Sequence, residues 1–346
     1  MGTETRITTR LGDGSPIEMT PSEIRADVED GSTAAARRAK VPPLTDDELD
    51  HLCEIFSSNA RFSAVDVGDE VILSSDGTCS IDAGLPGDQV RVYQNSLGAD
   101  ILELATVDYS YKAVKTIVSS EAQAMKVAQL ATVAPLAYGA MPDLGRYSRP
   151  DGPIENWSEL MPRGRIGEAR AAQEEAAELA VEDMVFCADH FWEAGADGMN
   201  YDTAGASGDA DLLATLRTVE TLREKYPDIG LEVGMASEMV LGMHGELEYK
   251  ARRLAGMWPR EQMQVVQEAG ATIFGPAVNT NTTKSVAWNT ARSCTLIKPC
   301  MADAEIPVHP NVGMGVCGVP MSAFPPHDAV SRAARAMVDI LKIDGL

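Results

Sequence analysis

Residues 195–212 read Gly-Ala-Asp-Gly-Met-Asn-Tyr-Asp-Thr-Ala-Gly-Ala-Ser-Gly-Asp-Ala-Asp-Leu. The opening glycine suits the left-handed backbone that closes a helix. The run from Gly198 to Asp202 is short and mostly apolar, and it ends on a carboxylate. A helical pattern then starts at Asp209. Helix end, short strand, polar strand end and new helix is the grammar of a β/α unit. Gly98-Ala99-Asp100 leads in the same way into Ile101–Leu104, and Gly270-Ala271-Thr272 into Ile273–Pro276. Strands are also predicted at Thr132–Tyr138, Gly230–Met235 and Ile306–Val312. The clearest helices fall at Glu168–Ala194, Asp209–Tyr226, Glu261–Ala269, Ser285–Ala302 and His327–Leu341.

Alternation of this kind implies parallel strands joined by right-handed crossovers. A doubly wound open sheet and a (β/α)8 barrel both satisfy it. Polar residues stand near many strand ends: Asp108, Asn200, Asp202, Glu232, Asn279 and His309. A barrel would gather them at one mouth, which favours a TIM-type (β/α)8 barrel. Six strands can be counted, and Asp344-Gly345-Leu346 repeats the Asp197-Gly198-Met199 strand start, so the barrel is expected to be incomplete. Residues 1–97 are expected to form an N-terminal extension and residues 98–346 the barrel. The extension should hold a short helix opening at Thr20-Pro21-Ser22-Glu23, a helix over Asp46–Phe56, and a hairpin-like β segment over residues 64–92.

The chain has 346 residues with 45% hydrophobic and 23% charged side chains, enough for a packed core. Its formal charge of −23 opposes binding to nucleic acid or to an anionic membrane surface. No apolar run reaches the roughly 18 residues of a membrane span, and the N-terminus lacks the apolar stretch of a secretory signal. A cytoplasmic protein is expected. Its acidic, lysine-poor composition suits a salt-rich cytoplasm, or simply a GC-rich genome. None of the six cysteines forms a CxxC pair and none of the five histidines an HExxH pair, so no metal site is expected. Gly313-Met-Gly-Val-Cys-Gly318 matches a dinucleotide fingerprint, but prolines follow where a helix should begin, so it reads as a loop.

The stretches YDTAGASGDADL (201–212), EVGMASEMVLGMHG (232–245), GPAVNTNTTKSVAWN (275–289) and IPVHPNVGMGVCGVPM (306–321) resemble the pyrrolysine-containing dimethylamine methyltransferases of methanogens. DYSYKAVK (108–115) and YGAMPDLG (138–145) fit the same family, and the resemblance spans nearly the whole chain. It implies a (β/α)8 barrel that moves a methyl group from dimethylamine to the cobalt of a cognate corrinoid protein. The corrinoid would travel on that partner, with no cofactor held directly. A homo-oligomer is expected. The family's reactive residue is pyrrolysine, encoded by UAG, and KIDGL (342–346) resembles the segment before it. The resemblance thus implies an amber-truncated product, inactive alone.

Candidates for the barrel mouth are Glu232 and Asp202 as carboxylates that hold or protonate an amine, Asn279 as a hydrogen-bonding group, and His309 at the end of strand six. Tyr201, Asn281 and His244 are candidates for substrate contact. Each residue type has a structural alternative: ion pairs for the carboxylates, Asx turns for the asparagines, loop or core packing for the histidines and the tyrosine. Two other functions compete. One is a naturally short, non-catalytic barrel that binds or scaffolds a corrinoid partner. The other is a Schiff-base lysine enzyme, disfavoured because no lysine lies in a predicted strand.

Overall fold

A computed structural model describes residues 5–60, 62–64, 71, 74–75, 102–103, 136–138, 144–242, 245–322 and 325–346. In chain order the elements are β1 (Ile7–Arg10), β2 (Pro16–Met19), α1 (Pro21–Ala39), α2 (Asp46–Ser57), β3 (Ser74–Ser75), β4 (Leu102–Glu103) and β5 (Leu136–Tyr138). There follow α3 (Ile166–Glu193), β6 (Gly198–Ala204), α4 (Asp209–Lys225), β7 (Gly230–Met235), α5 (Pro259–Ala269), β8 (Ile273–Gly275), α6 (Val286–Asp303) and α7 (His327–Ala336). The last of these continues into a π-helical turn at Met337–Leu341. Among the described residues no helix is long and apolar enough to cross a membrane.

The chain divides into two compact units, one formed by Met1–Glu103 with Pro276–Leu346 and the other by Leu104–Gly275. The division does not follow the expected boundary between residues 97 and 98. The second unit holds a four-stranded parallel sheet in the order β8-β7-β6-β5. Its α3 buries Ala169, Ala172, Ala176, Ala180, Met184 and Ala188, a stripe at helical spacing. Small side chains there let α4 approach closely, and α4 contributes Leu212, Leu216 and Val219 to the same core. Strand β6 supplies Met199 and Tyr201, β7 supplies Leu231 and Val233, and β8 supplies Phe274, all fully or nearly fully buried.

The first unit is mainly helical. Thr20 and Thr45 each close a capping box, with Glu23 and Glu48 answering from the third helical position. The helix opening at Thr20 runs for 19 residues, longer than the short helix expected. Before it lies a hairpin that sequence reading missed, β1 with β2. Its tight Leu11–Ser15 turn contains Gly14 at positive φ. Buried Arg332 on α7 donates to the carbonyls of Ile55 (3.3 Å), Ser58 (2.9 Å) and Ala60 (2.9 Å), satisfying the open end of α2. Of the expected hairpin-like segment at 64–92, Ser74–Ser75 is a strand, and it pairs in parallel with Leu102–Glu103; most of the remainder lies outside the described residues.

Two features depart from the expected barrel. Among the described residues no closed barrel forms, and Ile306–Val312 builds no ladder strand. Pro307 and Pro310 remove two of the N–H donors such a ladder needs. What remains is local: the Asp344 N–H donates to the Val308 carbonyl (3.3 Å), and the Val308 N–H donates to Asp344 Oδ2 (2.9 Å).

Helices α1 and α6 meet through a glycine. A β-carbon at Gly31 would lie 2.3 Å from the Trp288 carbonyl oxygen, so the contact admits no side chain. Hydrogen bonds flank it, from Trp288 Nε1 to Asp30 (2.7 Å) and from Ser285 Oγ to Asp27 (2.5 Å). In a free helix Gly31→Ala would gain about 1 kcal/mol of propensity. Here overpacking against backbone costs about 1–3 kcal/mol and wins. The variant should therefore unfold at lower urea concentration than the parent; equal or higher midpoints would show that the helices part without cost.

Candidate active site on the parallel sheet

The polar residues of the second unit are sorted by the two-residue period of its strands. On β6, Met199 and Tyr201 are buried, while Asn200 and Asp202 are half-buried. On β7, Leu231, Val233 and Met235 are buried, while Glu232 and Gly234 are half-buried. The register pairs Asn200 with Glu232 and Tyr201 with Val233. One face of the sheet therefore packs into the core, and the other carries Asn200, Asp202 and Glu232 side by side. Tyr138 on β5 and Ile273 on β8 extend the Asn200–Glu232 rung across the sheet.

The register slips between Tyr201 and Ala204, a bulge that re-aims Asp202. The peptide from Asp202 to Thr203 is cis. Gly234 makes room for the carboxylate: a β-carbon there would lie 2.8 Å from Asp202 Oδ1 and 3.1 Å from its Cγ. The turn that follows uses Gly205 and Gly208 at positive φ, and the Ser207 N–H donates to Asp211 Oδ2 (3.2 Å) at the start of α4. A further observation marks this face. Asn200 Oδ1 is buried and accepts no hydrogen bond. Buried carbonyl-type oxygens are normally paired, so this one stands out among the polar atoms of the face.

The structure thus brings together two of the predicted residues, Asp202 and Glu232. Tyr201 is fully buried on the opposite face, so strand alternation turns its ring away from them. His244 lies outside the described residues. Asn279, Asn281 and His309 belong to the first unit. Asn279 forms an isolated antiparallel bridge with Val316, and its carbonyl accepts from Arg292 (2.9 Å). Asn281 is exposed, and its Oδ1 accepts from the Thr283 N–H and hydroxyl, both at 2.9 Å. That is the Asx turn weighed against a substrate contact. His309 packs against Gly345, where a β-carbon would strike its ring at 2.5 Å, and its Nε2 is buried without a hydrogen-bond partner. Burial holds this imidazole below its ordinary 6.5, against a smaller upward pull from Asp344.

The sequence profile described as dimethylamine methyltransferase (Dimeth_PyL) matches residues 5–346. The chain belongs to the dimethylamine methyltransferase family. Among solved structures, the homocysteine methyltransferase MmuM from Escherichia coli, in its apo form, is 12% identical over 77% of this chain and 96% of that one, with a TM-score of 0.35. For a methyltransferase of this family, the polar rung of the sheet is the natural candidate site. Sequence reading had placed Asn200 at a strand end without giving it a role. The signal was present, because Asn200 and Asp202 are two residues apart and must share a face. Gly234 was missed because space is invisible in sequence.

Two outcomes follow. Gly234→Ala should displace the Asp202 carboxylate while leaving the fold intact, seen as a shifted Asp202 carboxyl resonance; an unmoved signal would mean the strand yields instead. His309 has a depressed folded-state pKa, so below about pH 6.5 the unfolded chain binds the proton more readily. Its contribution to stability is present above that value and lost as pH falls through the depressed one. His309→Gln should flatten the difference in urea stability between about pH 7.5 and about pH 5.5 relative to the parent; an unaltered difference would exclude His309 as its source.

Proposed function

We propose that the face carrying Asn200, Asp202 and Glu232 binds dimethylammonium and orients it for transfer of one methyl group to a corrinoid protein, in methylamine metabolism. The observation that carries this reading is the composition of the face: two carboxylates and an unpaired amide oxygen on one face of a two-strand register, neither strand of which contains a cationic residue. Such a face accepts hydrogen bonds and repels anions. An alkylamine is a cation at neutral pH, as lysine is with a pKa of about 10.4, and it brings N–H donors to the unpaired Asn200 oxygen. A (β/α)8 barrel with this face on its inner wall is consistent with the parallel order of the four strands.

The chemistry asks for a good leaving group. Transfer breaks one C–N bond, both electrons stay on nitrogen, and methylamine departs. Protonated nitrogen leaves as a neutral amine, whereas neutral dimethylamine would have to leave as an amide anion. Holding the substrate as its ammonium form is therefore productive, and an adjacent carboxylate such as Glu232 stabilises that form. The partner's cobalt would supply the electron pair that receives the methyl group. The 346 residues contain no pyrrolysine, so the roles assigned here are confined to binding and orientation. Among the described residues no strand carries a lysine, so this wall offers no imine-forming amine.

Calorimetric titration of the 346-residue chain with dimethylammonium chloride tests the proposal. Saturable binding that falls about tenfold or more in Glu232→Gln, equivalent to about 1.4 kcal/mol per decade, is expected. Absence of binding, or equal binding by the variant, would remove Glu232 and this face from the reading.

A further inference from the structure

We propose that Asn200 is a specificity-determining residue: its amide oxygen is the second acceptor of a two-point clamp, with Glu232, that selects ammonium ions bearing at least two N–H groups. The inference rests on the amine-binding role proposed for this face and goes beyond it by assigning what counts the substrate's methyl groups.

Three observations carry it. First, Asn200 Oδ1 is buried and accepts no hydrogen bond, although Asn200 as a residue is only half-buried. A buried unpaired acceptor is costly, so a ligand that donates to it recovers that loss. Second, Asn200 and Glu232 are direct partners on adjacent parallel strands and emerge from the same face. Adjacent strands lie about 4.8 Å apart. Two acceptors held about 2.8 Å from one tetrahedral nitrogen are separated by about 4.6 Å. The rung therefore holds the backbones of the two acceptor residues at close to the spacing that a single >NH2+ group requires. Third, the terminal torsion of asparagine is soft and two-fold, so a half-turn presents either end of the amide at little steric cost. The oxygen can be aimed at an incoming donor without moving the strand.

Dimethylammonium has two N–H groups and fills both acceptors. Trimethylammonium has one, and once that N–H is given to Glu232 the Asn200 oxygen receives none. Tetramethylammonium has none while keeping the same charge, so it separates hydrogen bonding from simple attraction to carboxylates. Monomethylammonium satisfies the clamp with one donor to spare, and the clamp alone does not reject it.

The test is a calorimetric series with methyl-, dimethyl-, trimethyl- and tetramethylammonium chloride on the unsubstituted chain, repeated on Asn200→Leu and Asn200→Asp. The largest single fall in affinity, about tenfold, should come between dimethyl- and trimethylammonium. Asn200→Leu, close in shape but without an acceptor, should lose that step by weakening dimethylammonium while leaving trimethylammonium within about twofold. Asn200→Asp keeps an oxygen in place and should keep the step. A parent that grades the four ions smoothly overturns the clamp without any variant having to fold. So does a Leu variant that retains the step, or an Asp variant that loses it. A parent that binds none of the four removes the proposed amine site itself, an outcome distinct from binding without the step.

Discussion

The sheet of the second unit depends on the alternation of its strands. Successive side chains of a strand must point to opposite faces. Once Met199 and Tyr201 on β6 and Leu231 and Val233 on β7 are committed to the core, Asn200, Asp202 and Glu232 have no choice of side. A one-residue slip would carry three polar groups into the layer of α3 and α4 and expose four large apolar ones. At about 1.5–3 kcal/mol per buried large side chain, that exchange exceeds anything the polar residues could regain. The apolar face thus fixes the position of the polar one, and the chemistry of the site is held by residues that never touch a substrate.

Alternation alone gives rows. The glycines and the bulge turn the row into a site. Asn200 and Glu232 share a rung because the register is regular as far as Tyr201. Beyond it the strand bulges, and Asp202 leans over Gly234, which leaves space for it. The same device, a glycine where another backbone or side chain comes close, recurs in the first unit at Gly31 against Trp288 and at Gly345 against His309. In each case the missing β-carbon matters more than backbone freedom, since none of these three residues has positive φ.

This explains which parts of the protein were legible. The helices were read nearly in place, because Thr-x-x-Glu caps, apolar stripes and closing glycines are local signals; α4 was read within one residue of its end. Strands β6, β7 and β8 were equally legible from their apolar runs and the glycines before them. The third residue of the polar face and the opposite orientation of Tyr201 follow from period two but need the core side to be known first. The Ile306–Val312 run looked like a strand by composition, yet its two prolines cannot donate to a ladder. The β1–β2 hairpin was missed because Ile7–Arg10 and Pro16–Met19 are short and only half apolar, while the turn between them carries the clearer signal. Asn281 illustrates a different limit: one side chain serves a turn or a ligand with the same atoms, and only the bond to Thr283 decides.

The acidity of the chain and the selectivity of the site are separate matters. A formal charge of −23 raises the concentration of any cation near the surface, but salt screens that field within about 8–10 Å at physiological strength. Sodium, potassium and every methylated ammonium respond to it alike. Discrimination among ions of equal charge has to come from contacts shorter than the screening length, where acceptors are fixed and water is excluded. Under the proposed clamp, Asn200 and Glu232 would supply such contacts, because the sheet's own hydrogen bonds fix the spacing of their backbones. In the proposed reading the overall charge hastens arrival of an amine, and the contacts on two adjacent strands decide which amine stays.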